Sequence, residues 1–421
     1  MHLSQQPSKS SLDGKDRLEK NDRNRAISNL VTDVNSSEPT HDSSEATAST
    51  EAEGQRDVEK GGTAATTSGP PPGAFDPREN PDGGPQAWLC VFGAFRCLFC
   101  SFVAWIPSLE VFMNFALGTF VGAIFDRYGH RWLLLVGTFL HGFGLMMTSF
   151  STEFYQFILA QRTCSPIGVG MIFFPALSTI STWFFKKRAF AFGIVAAGSS
   201  LGGVVLPIMV DRLNRQIGFA WSMRTTAFLI LALMIIANLT ITSRMPPNRA
   251  ASFRLGAFAE PLKELRCVLT VFGSFLFYLG TFMPINYIAT EAISYGMNES
   301  LATYLVSILN TVSLFGRILP GYIAEKIGRF NVMILTCFLS SLHVLALWIP
   351  AKSNARIIVF AALYGFASGA FVSMAPSVIA QISGVRKIGV RTGTFFAMVS
   401  VAGLVSNPIG GALVERWEGG M

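Results

Sequence analysis

Three sets of charged residues stand where an apolar sequence has little use for charge. Arg317 lies inside an apolar stretch, eight residues before Glu325. In a helix that places it about 12 Å from the polar turn that Glu325 opens. Such a depth is near mid-membrane, where an ionised side chain faces a cavity or a partner. A guanidinium in dry surroundings holds a carboxylate through two parallel hydrogen bonds; the ordinary alternative is an ion or carbonyl pair between helices. Asp126, Arg127 and Arg131 crowd one short turn, and Glu325, Lys326 and Arg329 crowd another. An acid at a helix end pairs with basic residues or with helix N-termini. These six are therefore read as gating residues, which hold one side shut in one state and release it in another. Glu110 and Arg96, fourteen residues apart across a turn, read as an ion pair, with Glu110 as proton carrier the sharper reading.

Weaker candidates complete the set. Tyr278, Asn286, Asn310, Phe366 and Ser373 are polar or aromatic groups within apolar runs, read with Arg317 as lining a central substrate path. His141 and His343 also sit in apolar runs and read as packed, hydrogen-bonded core histidines rather than proton relays. The six cysteines lie in or beside apolar runs without histidines at metal-ligand spacing, so no metal site or disulfide framework is expected. Gly193, Ala197, Gly198 and the Gly365–Gly369 run are small residues for close helix packing, not a phosphate cradle. Neither a nucleophile–histidine–acid set nor a nucleotide motif stands out. The chain is expected to be no enzyme and to need no cofactor.

The elements that position these residues are membrane helices. Half of the 421 residues are hydrophobic, 36 are Phe, and only 14% are charged. Apolar runs occupy about 87–103, 107–125, 132–150, 154–182, 189–210, 225–243, 267–290, 301–324, 331–350, 356–382 and 391–413, most near the ~20 residues that span a bilayer. From 87 to 125 one unbroken helix would run about 58 Å, so the chain must turn near Trp105–Pro107. Residues 1–85 are polar and acidic, with a net charge of −6, and residues 86–421 carry +13. The first segment cannot bury enough apolar surface to order itself and reads as a disordered cytoplasmic tail. Counting with that tail inside puts 15 basic residues in inner loops and six in outer ones, which supports an inside N-terminus. The basic residues gather on no single soluble face, which excludes a nucleic-acid partner.

The two acid–base turns are copies. Gly122, Asp126, Arg127 and Gly129 recur as Gly321, Glu325, Lys326 and Gly328, each 199 residues on. Pro175 and Pro207 recur as Pro376 and Pro408, each 201 on. Repeats of this length mark related bundles of membrane helices. The expected layout is an N-terminal bundle over 86–243, a cytoplasmic connector over 244–266 and a C-terminal bundle over 267–421.

At these residues the chain resembles the major facilitator superfamily, whose loop signature between its second and third helices Asp126, Arg127, Gly129 and the following basic residue match. Within it the chain is similar to the monocarboxylate transporter branch, especially the fungal permeases of that type. Asp82-Gly83-Gly84 leading to Trp88, and Trp183-Phe184 through Lys186-Lys187-Arg188 to Ala197-Gly198, carry that likeness. It covers about 82–417. It implies an all-α membrane protein of twelve helices in two pseudo-symmetric bundles, with a central and often proton-coupled substrate path. Eleven runs are seen; part of the first helix, its loop and the twelfth helix are missing from the pattern. The branch's first-helix lysine is absent between 86 and 125, and Ser313 stands four before Arg317, where the branch has an aspartate. The expectation is a secondary transporter, at the plasma membrane, moving a small organic anion such as a monocarboxylate by alternating access. The alternatives are a truncated or non-transporting membrane protein or sensor, and a transporter of a vitamin or secondary metabolite.

Overall fold

The computed structural model of the protein describes residues 82–101, 107–244, 259–351, 353–384 and 387–418. The tail before residue 82, the turn at Trp105 and most of the connector, including Arg249 and Arg254, lie outside them. The described chain is helical: α1 Pro85–Cys100, α2 Pro107–Ala116, α3 Gly118–Tyr128, α4 Arg131–Thr148, α5 Ser165–Trp183, α6 Arg188–Ile217, α7 Phe219–Thr240, α8 Leu265–Ser294, α9 Glu299–Ile327, α10 Arg329–His343, α11 Asn354–Ile382 and α12 Ile388–Glu418. One α-helical turn and a π-helical segment, Ile158–Cys164, lead into α5, and a second π-helical segment, Val344–Trp348, extends α10. α2 and α3 form one rod interrupted at Leu117. Each expected apolar run thus has its rod, and nine helices of the described residues are long and apolar enough to cross a membrane.

Sequence chemistry sets several ends. Pro85 opens α1, where its missing N–H would have no partner in any case. Asn298 caps α9 by accepting the Ser300 amide. At the two copied turns, Gly129 and Gly328 have φ of 83° and 98°, a region open to glycine and strained for other residues. The recurrence of those glycines therefore has a backbone cause. Pro175, Pro207, Pro376 and Pro408 all lie inside helices, as membrane helices tolerate.

The molecule wears its large apolar residues outside. Leu239, Phe154 and Trp132 are 77%, 76% and 70% exposed, on a surface that only lipid can cover. Inside, two seams join the first six rods to the last five: α2 and α3 run against α12, and α6 runs against α9. The first seam closes on glycines. A Cβ on Gly393 would strike the Gly118 carbonyl, and one on Gly122 would strike that of Gly389, so the backbones touch as small residues permit.

Gly393→Val should therefore force the α3–α12 seam apart and destabilise the protein by about 1–3 kcal/mol. Gly273→Ala, where a Cβ meets nothing within 4 Å, serves as the control. Thermal unfolding in detergent measures both; a Gly393→Val protein that melts with the control contradicts the closed seam.

Candidate functional site

The end of the molecule that carries both copied turns is built around two carboxylates. Asp126, at the close of α3, accepts the amides of Gly389 and Val390 at 3.1 and 3.0 Å. Glu325, at the close of α9, accepts those of Ala189 and Phe190 at 2.6 and 3.2 Å. Both amide pairs sit in the first turn of a helix, α12 and α6, where backbone donors have no intrahelical partner and the dipole favours negative charge. The acceptors are 199 residues apart and the donors 200, so one contact is made twice, each time between the halves. Both turns lie at one end, here termed the turn end.

Arg329 reinforces this end. It pairs with Glu325 at 3.3 Å and donates to the Phe185 carbonyl at 2.9 Å in the opposite half. The same loop is held from its other side by Asp82, which accepts the amides of Phe185, Lys186 and Lys187. The Asp-Gly-Gly entry to α1 thus pins the loop that Arg329 grips. The other three candidates at these turns make no bond across the seam among the described residues. Arg127 and Lys326 rest on Tyr128 and Tyr322 of their own helices, and Arg131 is exposed.

Arg188 stands in the sequence as an inner basic residue and as part of the Trp183–Gly198 likeness, without a site role, yet it is 2% exposed and crosses the seam. Its guanidinium donates to the carbonyls of Phe184, Ser181 and, in the other half, Ala380. Two further ion pairs join the start of α8 to the start of α12: Lys387 with Glu260 at 2.5 Å, and Arg391 with Glu264. Lys387 holds the Glu260 carboxyl below its ordinary range, and Arg391 does the same for Glu264.

Arg317 sits deeper on α9, donating to the Ala196 carbonyl at 2.6 Å and to the Ser199 hydroxyl. Its Nε has no hydrogen-bond partner among the described residues. It thus bridges α9 and α6. Of the other substrate candidates, Tyr278 packs on Phe282 and Phe371 near Arg317. Asn310 turns its amide back to its own helix at Val306 and abuts Gly203. Ser373 bonds to Ala370 within α11, and Phe366 presses its backbone on Gly316. Asn286 belongs elsewhere, at the far end. It donates to the Asn407 side chain at 2.6 Å, and Asn407 reaches Ser108 in the other half. Between the two ends Phe115, Phe173 and Phe396 pack across the seam, with ring centroids 4.9–5.5 Å apart.

The expected Glu110–Arg96 pair is not formed. Glu110 meets Arg162 at 4.0 Å, and Arg96 lies over the Phe92 ring of its own helix. Arg162 comes from the π-helical segment, whose wider turn departs from the helical period used to place side chains. His141 is packed and hydrogen-bonded, to the Ser165 hydroxyl at 2.8 Å and the Cys100 carbonyl at 3.1 Å.

Comparison with known proteins agrees with this architecture. Residues 101–406 match the family model described as Major Facilitator Superfamily. "MFS-type transporter 1" of Ophiocordyceps sp. is 52% identical over 376 residues, covering 83% of this chain and 84% of that protein. The "Fujikurins efflux protein" of Gibberella fujikuroi is 42% identical, covering 81% and 78%. Among solved structures, the fucose:proton symporter of E. coli superposes with a TM-score of 0.61 at 14% identity, covering 79% of this chain and 91% of that one. Transport proteins, not enzymes, are what the chain is like.

Removing either carboxylate should release its own amides. Asp126→Ala should speed hydrogen exchange at Gly389 and Val390 about tenfold or more and leave Ala189 and Phe190 slow. Glu325→Ala should do the reverse. Mass-spectrometric exchange on purified protein reads both, and equal rates in all three proteins would refute the paired contacts.

Proposed function

The chain belongs to the major facilitator superfamily, and we propose that it is an exporter of an acidic secondary metabolite, working by alternating access. Arg317 carries the reading. A guanidinium at mid-depth, held among the described residues by a carbonyl and a hydroxyl, can exchange those weak acceptors for a substrate carboxylate or enolate through paired hydrogen bonds. Tyr278 and the phenylalanines of the seam supply an apolar, aromatic surface for the rest of such a molecule. The direction follows from relatives that bear efflux names; the likeness of Trp183–Gly198 to monocarboxylate permeases supports the acid.

The turn end faces the cytoplasm, which the inner excess of basic residues supports, and the protein sits in the plasma membrane, where the resembled family is most often found. Residues 86–243 and 267–421 move as two bundles about the 244–266 connector. Asp126, Glu325 and Arg329 hold the cytoplasmic side shut and let go when it opens; Asn407, with Ser108 and Asn286, does so at the outer side. Protons couple through the buried Glu110–Arg162 pair. Phe366, Ser373 and Asn310 enter the substrate surface only as the seams part.

Efflux of a radiolabelled aromatic carboxylate from loaded proteoliposomes tests the proposal. Arg317→Gln should slow efflux about ten- to a hundredfold, because a hydrogen bond to a charged group is worth about 1.5–3 kcal/mol. Arg317→Lys, which keeps the charge but not the fork, should fall between. Unchanged efflux in both variants removes Arg317 from the site. Glu110→Gln should abolish the response to an imposed pH gradient while counterflow exchange continues.

A further inference from the structure

Arg188 poses a problem that closure of the turn end alone does not answer. It is a fully buried cation whose hydrogen-bond acceptors are all carbonyl oxygens: those of Phe184, Ser181 and Ala380. No carboxylate lies within ion-pairing distance of it among the described residues. The nearest acids, Asp82 and Glu325, are occupied by backbone amides and by Arg329. Buried charge is normally neutralised by a partner. On the two helices that supply the Ser181 and Ala380 carbonyls, three buried hydroxyls also have no partner among the described residues: Ser178, Ser181 and Ser377 are 2%, 0% and 0% exposed. Ser181 is the residue whose carbonyl Arg188 grips. Ser178 and Ser377 lie three residues, one helical turn, before Ser181 and Ala380 on α5 and α11. They are themselves repeat mates, 199 residues apart. The place combines one uncompensated positive charge with three idle donors and is split by the seam between the halves.

We propose that Arg188, Ser178, Ser181 and Ser377 form a second anion site at the turn end, which takes an organic carboxylate or enolate as that end opens. Opening the seam carries Ala380 away and leaves one edge of the guanidinium free. An incoming oxyanion replaces the Ala380 carbonyl, supplies the missing negative charge and accepts from the hydroxyls. Loading and opening then become one event, since the anion binds only where the cross-seam contacts have let go. The site lies apart from Arg317, which is on α9 and bonds to Ala196 and Ser199 farther along α6. The inference takes its ligand class from the exporter reading, but its test does not require transport.

Equilibrium binding of radiolabelled benzoate to the purified full chain in nanodiscs provides the test, made in the Arg317→Gln background so that the deeper arginine is silent. Benzamide, which has the same ring without the charge, should not compete. Benzoate should still bind, Arg188→Gln should weaken binding tenfold or more, and Arg188→Lys should weaken it less. Ser178→Ala with Ser377→Ala should weaken it several-fold in a protein that melts no lower, because these changes remove unsatisfied groups. That serine pair keeps the test decisive if Arg188→Gln fails to fold. Benzoate binding that is absent when only Arg317 is changed, or that ignores both the Arg188 and the serine changes, overturns the site. Failure of efflux with this binding intact would instead count against the exporter reading.

Discussion

A helix that begins at the edge of a bilayer leaves its first amides without partners, and the interior beyond offers no water to supply them. This protein meets that demand at two helix starts, those of α6 and α12, with carboxylates borrowed from the opposite half. Each half is thus incomplete at one end unless the other is present. The acceptors are charged and sit at positive helix ends, so the contacts are strong for their size. They are also few, and all lie at the edge of the seam, where they can be traded for water without disturbing any helix interior.

The rest of the seam is packed beside those contacts. Glycine against glycine along α3 and α12 lets the backbones meet. The aromatic cluster of Phe115, Phe173 and Phe396 fills the middle with groups that carry no hydrogen-bonding obligation. Charged groups on the seam keep to a pattern: acids receive amides, and the arginines, Arg188, Arg317 and Arg329, donate to carbonyls or hydroxyls across it. Such bonds are replaceable by solvent or by a ligand. Charge paired with charge in the buried interior, as Glu110 is with Arg162, is kept within one half.

What could be read from the sequence was what repeats or what is local. The Asp126 and Glu325 turns announced themselves by recurrence, and their glycines by a backbone demand that one residue type meets. Helix placement followed from runs of apolar residues whose length the bilayer fixes. Arg127, Arg131 and Lys326 shared the motif with the acids, but spacing alone does not say which side chains of a turn face inward, and these three do not. Glu110 found a partner fifty-two residues on, through a π-helical segment that no hydrophobic period marks. Arg188 stood among Lys186 and Lys187 as one of three similar charges. Its burial is a fact of how α6 meets α11, and composition is silent on that. Asn407, alone among neighbours of low polarity, carried a signal that was available, an amide in an apolar run, and it went unused.

The π-helical segment Ile158–Cys164 holds more residues per turn than the α-helix on either side. Loss of one residue there would let the stretch relax to ordinary α geometry without breaking the rod. Because the wider turn already absorbs the extra residue, the helix before the deletion would keep nearly its orientation relative to the body of α5. The change would fall on the seven residues themselves, and tightening their turn would re-aim Arg162, the partner of Glu110. The segment is a local aiming device: it carries one residue more than an α-helical turn needs and turns a side chain off the helical period, although these seven residues look from their letters like any other stretch of membrane helix.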